Sequence, residues 1–437
     1  MSTKATLRTT GAVLVFLALS TALSYHVLDH MVIDGHPELA RWGLVDFREA
    51  VYYPARAFLD GANPYDPPVY MKTYPVGVNL PLYSPIILLL YLPFGLMKFE
   101  AAALAFLLLN LALTPVLAVL VLRLCGVRPT LARTFGLATL LLLSRGGYVN
   151  LFLGQCTVYV ALAAYAAIYF GRTRPWLAGL ALALVTLKPT VGGPLAILLL
   201  ARREVRPVVI GVLVGAVGAG MPAAVLAYHA GGLTPFLGAF ASTHALFETT
   251  PSINATSAPM RVDALALAGR LLGPPLGTTA EHAMSAGLLT LGALGIWRLT
   301  TRDDDNTRAL SASLICLTIV TCIYQQVYGL LLLALPLTMF VTGRLLPATG
   351  QVRRSRWPIV ALLGLPMFNF LMSRTALEAL GTSLNVRNGW LLLLASLNSG
   401  AVFAAFVVCM GLALSAPLGA PTRRESARVR RLARLTD

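Results

Sequence analysis

Apolar segments long enough to cross a lipid bilayer recur from one end of this 437-residue chain to the other. A membrane-spanning helix needs about 20 mainly apolar residues, because its backbone rises only about 1.5 Å per residue through a hydrocarbon layer about 30 Å thick. The chain is 57% hydrophobic and 12% charged, whereas globular domains are usually about 25% charged. The sequence therefore predicts an all-α polytopic membrane protein and excludes an ordinary soluble fold.

Basic residues indicate how these segments are oriented. The chain has 34 Lys and Arg against 18 Asp and Glu, and the cations cluster in short loops and in the stretch 417–437. Cytoplasmic loops of membrane proteins carry this excess, so we interpret the net charge of +16 as a topology signal and predict no nucleic-acid partner. As an alternative to a pure topology signal, the basic cytoplasmic tail 417–437 contacts membrane lipids. Residues 29–100 and 229–281 then form two long periplasmic loops.

The apolar segment 82–97 is expected not to cross the membrane. It contains Pro85 and Pro93, and counting it as a span would put a basic cluster on the wrong side. We predict that it lies at the outer face, as one of the interfacial helices of the first periplasmic loop. The other segments give about twelve transmembrane helices in one integral membrane unit over residues 1–437.

Lys188 stands in a helical hairpin that is too short for two complete crossings. Residues 176–188 and 190–201 are each shorter than a full span, so the tip at Lys188 and Pro189 is predicted to lie at partial membrane depth. A lysine at that depth is expected to bind an anion such as a substrate phosphate, with snorkelling to the surface as the alternative. Residues 144–150 are expected to be exposed on the outer side between two spans, and Arg145 there is either a second phosphate contact or the end of a span.

Carboxylates are scarce, and seven of the 18 lie between Asp29 and Asp66. Asp46 is the candidate catalytic residue, because a partly desolvated carboxylate near the membrane surface can take a proton from a hydroxyl group. The alternative is that Asp46 caps a helix, with Glu49 three residues later completing a capping box.

Several polar and aromatic residues are candidates for binding the substrate. They are Tyr52, Tyr53, Asn63, Tyr65, Asn150, Gln155, His244, Asn254, Gln325, Gln326 and Tyr328. Each has a structural alternative: a turn at 60–65, capping and interhelical hydrogen bonds at 150–155, and a periplasmic turn at 324–328.

No metal site and no cofactor are predicted. A divalent cation prefers several oxygen ligands, some of them anionic, and residues 144–155 contain no Asp or Glu to meet Asp46. The chain also lacks a phosphate-binding glycine motif of the nucleotide-binding proteins and any paired cysteine motif.

Several polar motifs follow one another in a fixed order: Asp46-Phe47 with Tyr52-Tyr53, Asn63-Pro64-Tyr65, Tyr83-Ser84-Pro85, Asn150 with Gly154-Gln155, and Leu187-Lys188-Pro189. This order resembles glycosyltransferase family 87, a group of integral membrane enzymes in the GT-C superfamily that includes actinobacterial mannosyltransferases. The resemblance covers most of residues 40–340. It implies a GT-C fold with a catalytic aspartate at the start of the first external loop, which Asp46 matches, and it places Lys188 and Gln155 near the donor phosphate.

The resemblance also implies the reaction. The donor would be a polyprenyl-phosphate sugar, commonly mannose, and the acceptor a glycolipid or a cell-envelope polysaccharide on the periplasmic face of the bacterial inner membrane. Transfer would invert the anomeric carbon and give an α-linked sugar without a metal. A transferase of the same fold for arabinose or another hexose, a transporter of a lipid-linked sugar and a non-catalytic scaffold are the alternatives.

The chain departs from the family pattern at two places. Ser84 stands where members often have a second proline, and Gln325 to Tyr328 stand where members often have a histidine. His244 is a candidate substitute for that histidine. Asn254 lies in a segment similar to a family patch that precedes an arginine, here Arg261.

Overall fold

The computed structural model describes residues 3–78, 83–249, 258–273, 276–301, 305–344, 350–373, 376, 379 and 389–415. Across these residues the regular structure is helical, and extended backbone pairs only at two isolated bridges. The prediction of an all-α protein is confirmed.

The first third of the chain contains one long helix followed by a group of short ones. The helices are α1 (Thr3–Asp29), α2 (Val45–Phe47), a π-helical turn (Arg48–Tyr52), α3 (Tyr53–Leu59), α4 (Pro67–Thr73), α5 (Ile86–Gly95), α6 (Phe99–Leu124), α7 (Leu131–Leu143) and α8 (Arg145–Leu153).

The rest of the chain alternates half-length and long helices. They are α9 (Thr157–Phe170), α10 (Pro175–Val185), α11 (Pro189–Ala201), α12 (Val205–His229), α13 (Leu233–Thr249), α14 (Ala264–Leu272), α15 (Thr278–Leu299), α16 (Asp305–Cys322), a 3₁₀ helix (Val327–Leu333), α17 (Ala334–Thr342), α18 (Gly350–Phe368) and α19 (Gly389–Ser415).

Long apolar helices make the chain a multi-pass membrane protein. Within the described residues, four are long and apolar enough to cross a membrane, in α1, α6, α12 and α19, and the bent pair α7 and α8 gives a fifth. The predicted count of about twelve spans is not confirmed, because many apolar segments form short helices. For example, α10 has 11 residues and α11 has 13, whereas a helix needs about 20 to span the hydrocarbon layer.

The break between α7 and α8 differs from the prediction. Residues 144–150 were expected to form an exposed turn, but Ser144, Arg145 and Asn150 are buried, and α8 continues from α7 at an angle of 72°. Ser144 Oγ accepts a hydrogen bond from Gly147 N at 3.0 Å, which caps the new helix.

The first predicted loop is built from short helices held by aromatic packing. α5 has 10 residues, too few to span a bilayer, as predicted for the segment 82–97. The Phe47 ring lies 4.8 Å from the Phe106 ring, 5.9 Å from Phe99 and 6.0 Å from Phe94. This cluster anchors α2, which carries Asp46, to α5 and α6.

The second predicted loop contacts the first. Thr243 in α13 donates a hydrogen bond from Oγ1 to Tyr65 O at 2.6 Å, and the Phe236 ring packs edge-on against the Tyr65 ring. The two loops therefore form one assembly on the side of the molecule that carries Asp46.

Candidate active site

The backbone around Asp46 is held in an unusual conformation. Leu44, the residue before α2, has φ +58°, a left-handed conformation that is costly for a residue with a Cβ atom. Its N–H donates to Phe152 O at 2.7 Å, which ties α2 to the end of α8. Because the neighbouring α8 fixes this strained turn, the direction of the Asp46 side chain is set by the fold.

The Asp46 side chain bonds to another side chain and does not cap a helix. Gln155 Nε2 donates a hydrogen bond to Asp46 Oδ2 at 2.6 Å. The residue at the cap position is Leu44, and the Glu49 carboxylate accepts from Gly77 N at 3.0 Å. Asp46 and Glu49 therefore do not form the capping box that was the alternative.

Gly154 allows Gln155 to reach Asp46. Gly154 has φ +74° and ends α8, and a Cβ added there would lie 2.7 Å from Phe47 Cβ. Real Cβ atoms do not approach that closely, so a larger residue would push the turn away from α2. The glycine thus supplies both the left-handed turn and the close approach.

Tyr83 fixes the orientation of the Gln155 amide. The Tyr83 hydroxyl donates to Gln155 Oε1 at 3.3 Å, so the amide nitrogen points toward Asp46. Both side chains are buried. Sequence reasoning used Tyr83 only as part of a motif and missed this role, although its position at the start of that motif was the available signal.

Lys188 is the buried cation of the site. It is the residue before α11, its side chain is only 6% exposed, and its Nζ lies 4.3 Å from the centre of the Tyr328 ring. Within the described part of the chain it forms no ion pair with a carboxylate. A buried ammonium without a paired anion is expensive, so this position favours an anionic ligand.

The loop that contains Asp46 and the break that contains Lys188 face each other. Ser84 N donates to Leu187 O at 3.1 Å, and the Lys188 charge acts on the Asp46 carboxylate. The site thus brings together Asp46, Gln155, Lys188 and Tyr328, four residues that were predicted from separate parts of the sequence.

Burial sets the acidity of Asp46. The side chain is partly exposed, but protein surrounds its carboxyl group, and this desolvation raises the pKa of Asp46 to about 6. The Gln155 hydrogen bond lowers the pKa, the negative charge of Glu49 raises it, and the Lys188 ammonium lowers it. Such a pKa suits a general base that works near neutral pH.

A buried ion pair missed by sequence reasoning lies beside Asp46. Arg48 donates from Nε and one terminal nitrogen to Glu49 Oε1 at 2.8 and 2.6 Å, and Glu49 also accepts from Gly77 N. The pair anchors the segment that follows α4. The two charges are adjacent in the sequence, but the Gly77 N–H that Glu49 also accepts from is 28 residues away.

A short pairing of extended backbone forms the wall behind Tyr328. Val262 N donates to Gln325 O and Val327 N donates to Met260 O, both at 2.9 Å. The buried Asp263 carboxylate accepts from Gln325 N at 3.1 Å. Gln325 is buried, and its side-chain amide has no hydrogen-bond partner among the described residues.

Gln326 lies on the same pairing but bonds locally. Its Nε2 donates to the Tyr324 hydroxyl at 2.6 Å, and the Arg261 guanidinium lies 5.0 Å from the centre of the Tyr324 ring. Gln326 therefore contributes to the wall of the site through Tyr324.

Arg145 and Asn150 have partners elsewhere in the protein. Arg145 donates from its two terminal nitrogens to Asn369 O at 3.0 Å and Met372 O at 2.9 Å. Asn150 donates to Asn110 Oδ1 at 3.2 Å and accepts from Thr157 N at 2.9 Å. These are structural contacts, and for Asn150 they are the interhelical and capping bonds named as the alternative.

The aromatic candidates of the first loop also form structural contacts. Tyr52 donates to Met97 O at 3.0 Å, and Tyr53 donates to the Asp34 carboxylate. Tyr65 is fully buried and donates to Tyr83 O at 2.8 Å.

Three further candidates contribute no side chain to the site as described. Asn63 accepts from Tyr65 N at 3.0 Å, which is the predicted turn. His244 lies on α13, but its side chain is not described, and Asn254 lies outside the described residues.

The described residues contain no group of three His, Cys, Asp or Glu side chains placed to hold a metal ion. The arrangement offers instead one carboxyl group with a pKa near neutral, an amide that orients it and a buried cation nearby. This set can remove a proton from one group and receive negative charge on another.

Comparison with known proteins identifies the family. The sequence model of glycosyltransferase family 87 matches residues 82–325, more than half of the chain, and includes Gln155 and Lys188 but begins after Asp46. No curated protein and no solved structure matches the chain. The protein belongs to glycosyltransferase family 87.

Proposed function

We propose that this membrane glycosyltransferase moves a sugar, first of all mannose, from a polyprenyl-phosphate donor to a hydroxyl group of a glycolipid or cell-envelope glycan. The observation that carries the proposal is the Asp46 carboxyl group held by Gln155 beside the buried Lys188. In this proposal the fold is of the GT-C type and residues 1–437 form one integral membrane unit. The site faces the periplasm of a bacterial inner membrane, where a lipid-linked donor and a lipid-linked acceptor can meet.

The reaction is a single displacement. Asp46 takes the proton of the acceptor hydroxyl as its oxygen forms a bond to the anomeric carbon, and the bond from that carbon to the phosphate oxygen breaks. The configuration inverts, so a β-linked donor gives an α-linked product. The leaving group is a polyprenyl phosphate.

Lys188 receives the negative charge that develops on the leaving phosphate. A preorganised cation in a water-poor site stabilises such charge strongly, which removes the need for a metal ion in this role. Gln155 holds the Asp46 carboxylate toward the acceptor, and Tyr83 holds Gln155. Gln325 and Gln326 lie on the wall beside Tyr328. The buried Gln325 amide, which has no hydrogen-bond partner among the described residues, is suited to bind a sugar hydroxyl.

The test is transfer from radiolabelled polyprenyl-phosphate mannose into lipid by the purified full-length protein. Asp46→Asn keeps the shape of the side chain but removes the base, and we expect transfer to fall by about 10²- to 10⁴-fold. Asp60→Asn is the matched control, because Asp60 is an exposed carboxylate of the same loop that pairs with Arg56. Full activity in Asp46→Asn would overturn the assignment of the base.

A second arm of the experiment separates the chemistry from the sugar. Donors carrying arabinose, glucose or galactose are compared with the mannose donor, because a few hydroxyl contacts decide between them. If transfer occurs from only one of these other donors, the assigned sugar changes and the proposed mechanism stands. Donor binding without transfer from any of them contradicts the proposed reaction and favours a transporter.

A further inference from the structure

An arginine-lined cavity lies at the opposite end of α10 and α11 from Lys188. Lys188 is the residue before α11 and Arg202 is the residue after it, so the 13 residues of α11 separate them, a distance of about 20 Å along a helix. The cavity has a volume of about 510 Å³ and is formed by the turn before α10 and the turn before α12. It is therefore separate from the site around Asp46.

Positive charge dominates the lining of this cavity. Arg172, Arg202, Arg203 and Arg206 line it together with a single carboxylate, Glu204. Glu204 Oε1 lies 3.2 Å from a terminal nitrogen of Arg202 and 3.7 Å from Arg172 Nε. One carboxylate cannot balance the guanidinium groups of Arg202, Arg203 and Arg206, so the described lining of the cavity retains an excess of positive charge.

Arg202 is the residue that distinguishes this cavity from an ordinary basic loop. Its side chain is only 6% exposed, and its NH1 nitrogen has no hydrogen-bond partner among the described residues. Arginines that act only as topology signals can lie in water, as the exposed Arg123 and Arg128 do. Leaving a buried guanidinium nitrogen unpaired is costly, and a ligand that accepts hydrogen bonds removes that cost.

The geometry points to a binding site for a phosphoryl group, and we propose that this cavity binds one. A planar guanidinium presents parallel N–H donors that match phosphate oxygens. The first turn of α12 borders the cavity at Val205, and the free N–H groups of a helix N-terminus add to the attraction for an anion. The phosphoryl group comes from an anionic lipid headgroup or from a soluble phosphate, which have the same recognition chemistry.

The experiment compares two double variants of the full-length protein. Arg203→Gln with Arg206→Gln removes two exposed arginines of the cavity. Arg123→Gln with Arg128→Gln removes two exposed arginines at the end of α6 and in the loop that follows it. Retention of phosphatidylglycerol against phosphatidylcholine is measured by native mass spectrometry, and inorganic phosphate is titrated by calorimetry in a second arm. We expect roughly fivefold weaker binding for each of the exposed cavity arginines removed.

The outcomes distinguish the two sources of the phosphoryl group, and some of them overturn the proposal. Selective loss of phosphatidylglycerol in the cavity variant assigns the site to a lipid headgroup, and selective loss of phosphate binding alone assigns it to a soluble ligand. Equal loss in both double variants would mean that only general surface charge acts, which overturns the proposal. Unchanged binding in the cavity variant overturns it as well. Arg202→Gln serves as a third variant, with an expected loss at least as large as that of the double cavity variant.

Discussion

Two breaks between apolar helices each carry a buried cation, and their surroundings differ. At the break between α7 and α8, the terminal nitrogens of Arg145 donate to two backbone carbonyls of the 369–372 segment. At the break between α10 and α11, Lys188 lies over the face of Tyr328 and near Asp46, and among the described residues it forms no ion pair with a carboxylate. A buried polar group that the fold already satisfies holds the fold together, whereas one that the fold leaves unsatisfied is available to a ligand.

Replacing each of the two cations by methionine tests this comparison directly and gives the largest expected effect on transfer. In Lys188→Met we expect transfer to fall by about 10²- to 10³-fold, because the developing phosphate charge loses its cation. In Arg145→Met we expect the activity per folded molecule to remain and stability to fall, because two buried carbonyls lose their donors. Transfer rates and thermal unfolding of the two purified variants are measured side by side. A lower stability of Lys188→Met with unchanged transfer would reverse the two roles.

A substitution at Gln155 sharpens the comparison, because it should shift the pKa of Asp46 and with it the pH dependence of transfer. The Gln155 hydrogen bond lowers the pKa of Asp46, and burial raises that pKa to about 6, so wild-type transfer should rise with pH through that value. In Gln155→Leu we expect about tenfold slower transfer and an acidic limb displaced to higher pH, because the ionised carboxylate has lost its donor.

The control for this prediction is Gln326→Leu. Its amide donates to Tyr324 and forms no hydrogen bond with Asp46, so the acidic limb of the rate profile should stay in place. A profile that is unaltered in Gln155→Leu would show that a group other than Asp46 controls the rate.

The smallest expected effect concerns stability against pH. The pKa of Asp46 is raised in the folded protein from 3.8 to about 6, so its ionisation opposes folding, and stability falls as the pH rises between these values. Asp46→Asn should therefore unfold at a higher temperature than wild type above pH 6 and at a similar temperature below pH 4. Thermal unfolding of both proteins is measured at each pH. An Asp46→Asn protein that is less stable at neutral pH would contradict this account.

The break at Lys188 was predictable from sequence and the one at Arg145 was not. Pro189 begins α11 in the structure, because proline suits the first position of a helix and prevents a helix from continuing through it. At the other break, residues 144–150 were expected to be exposed, but Gly146 and Gly147 are buried within α8. Their lack of side chains allows close packing, since a Cβ at Gly146 would lie 3.1 Å from Val327 O. Tertiary contact there overrides local preference.

The main residues of the candidate site could be predicted from the sequence, but the hydrogen bonds that they form could not. Asp46, Gln155 and Lys188 were found from scarce charge, short motifs and family resemblance. The bond between Asp46 and Gln155 joins residues 109 positions apart, and the carbonyl partners of Arg145 lie 224 and 227 positions away. Such pairings depend on how helices pack, so the sequence could not separate Gln155, which bonds to Asp46, from Asn150, which bonds to Asn110 and Thr157.

The single lysine at the α10–α11 break also bears on how quickly the product leaves. In the proposed reaction the sugar phosphodiester donor would carry one negative charge, whereas the released lipid phosphate would be a monoester with a charge of about −1.5 to −2 at neutral pH. Lys188 therefore attracts the product more strongly than the substrate. We expect the spent lipid carrier to inhibit the enzyme, and its departure to limit turnover when the carrier accumulates in the membrane.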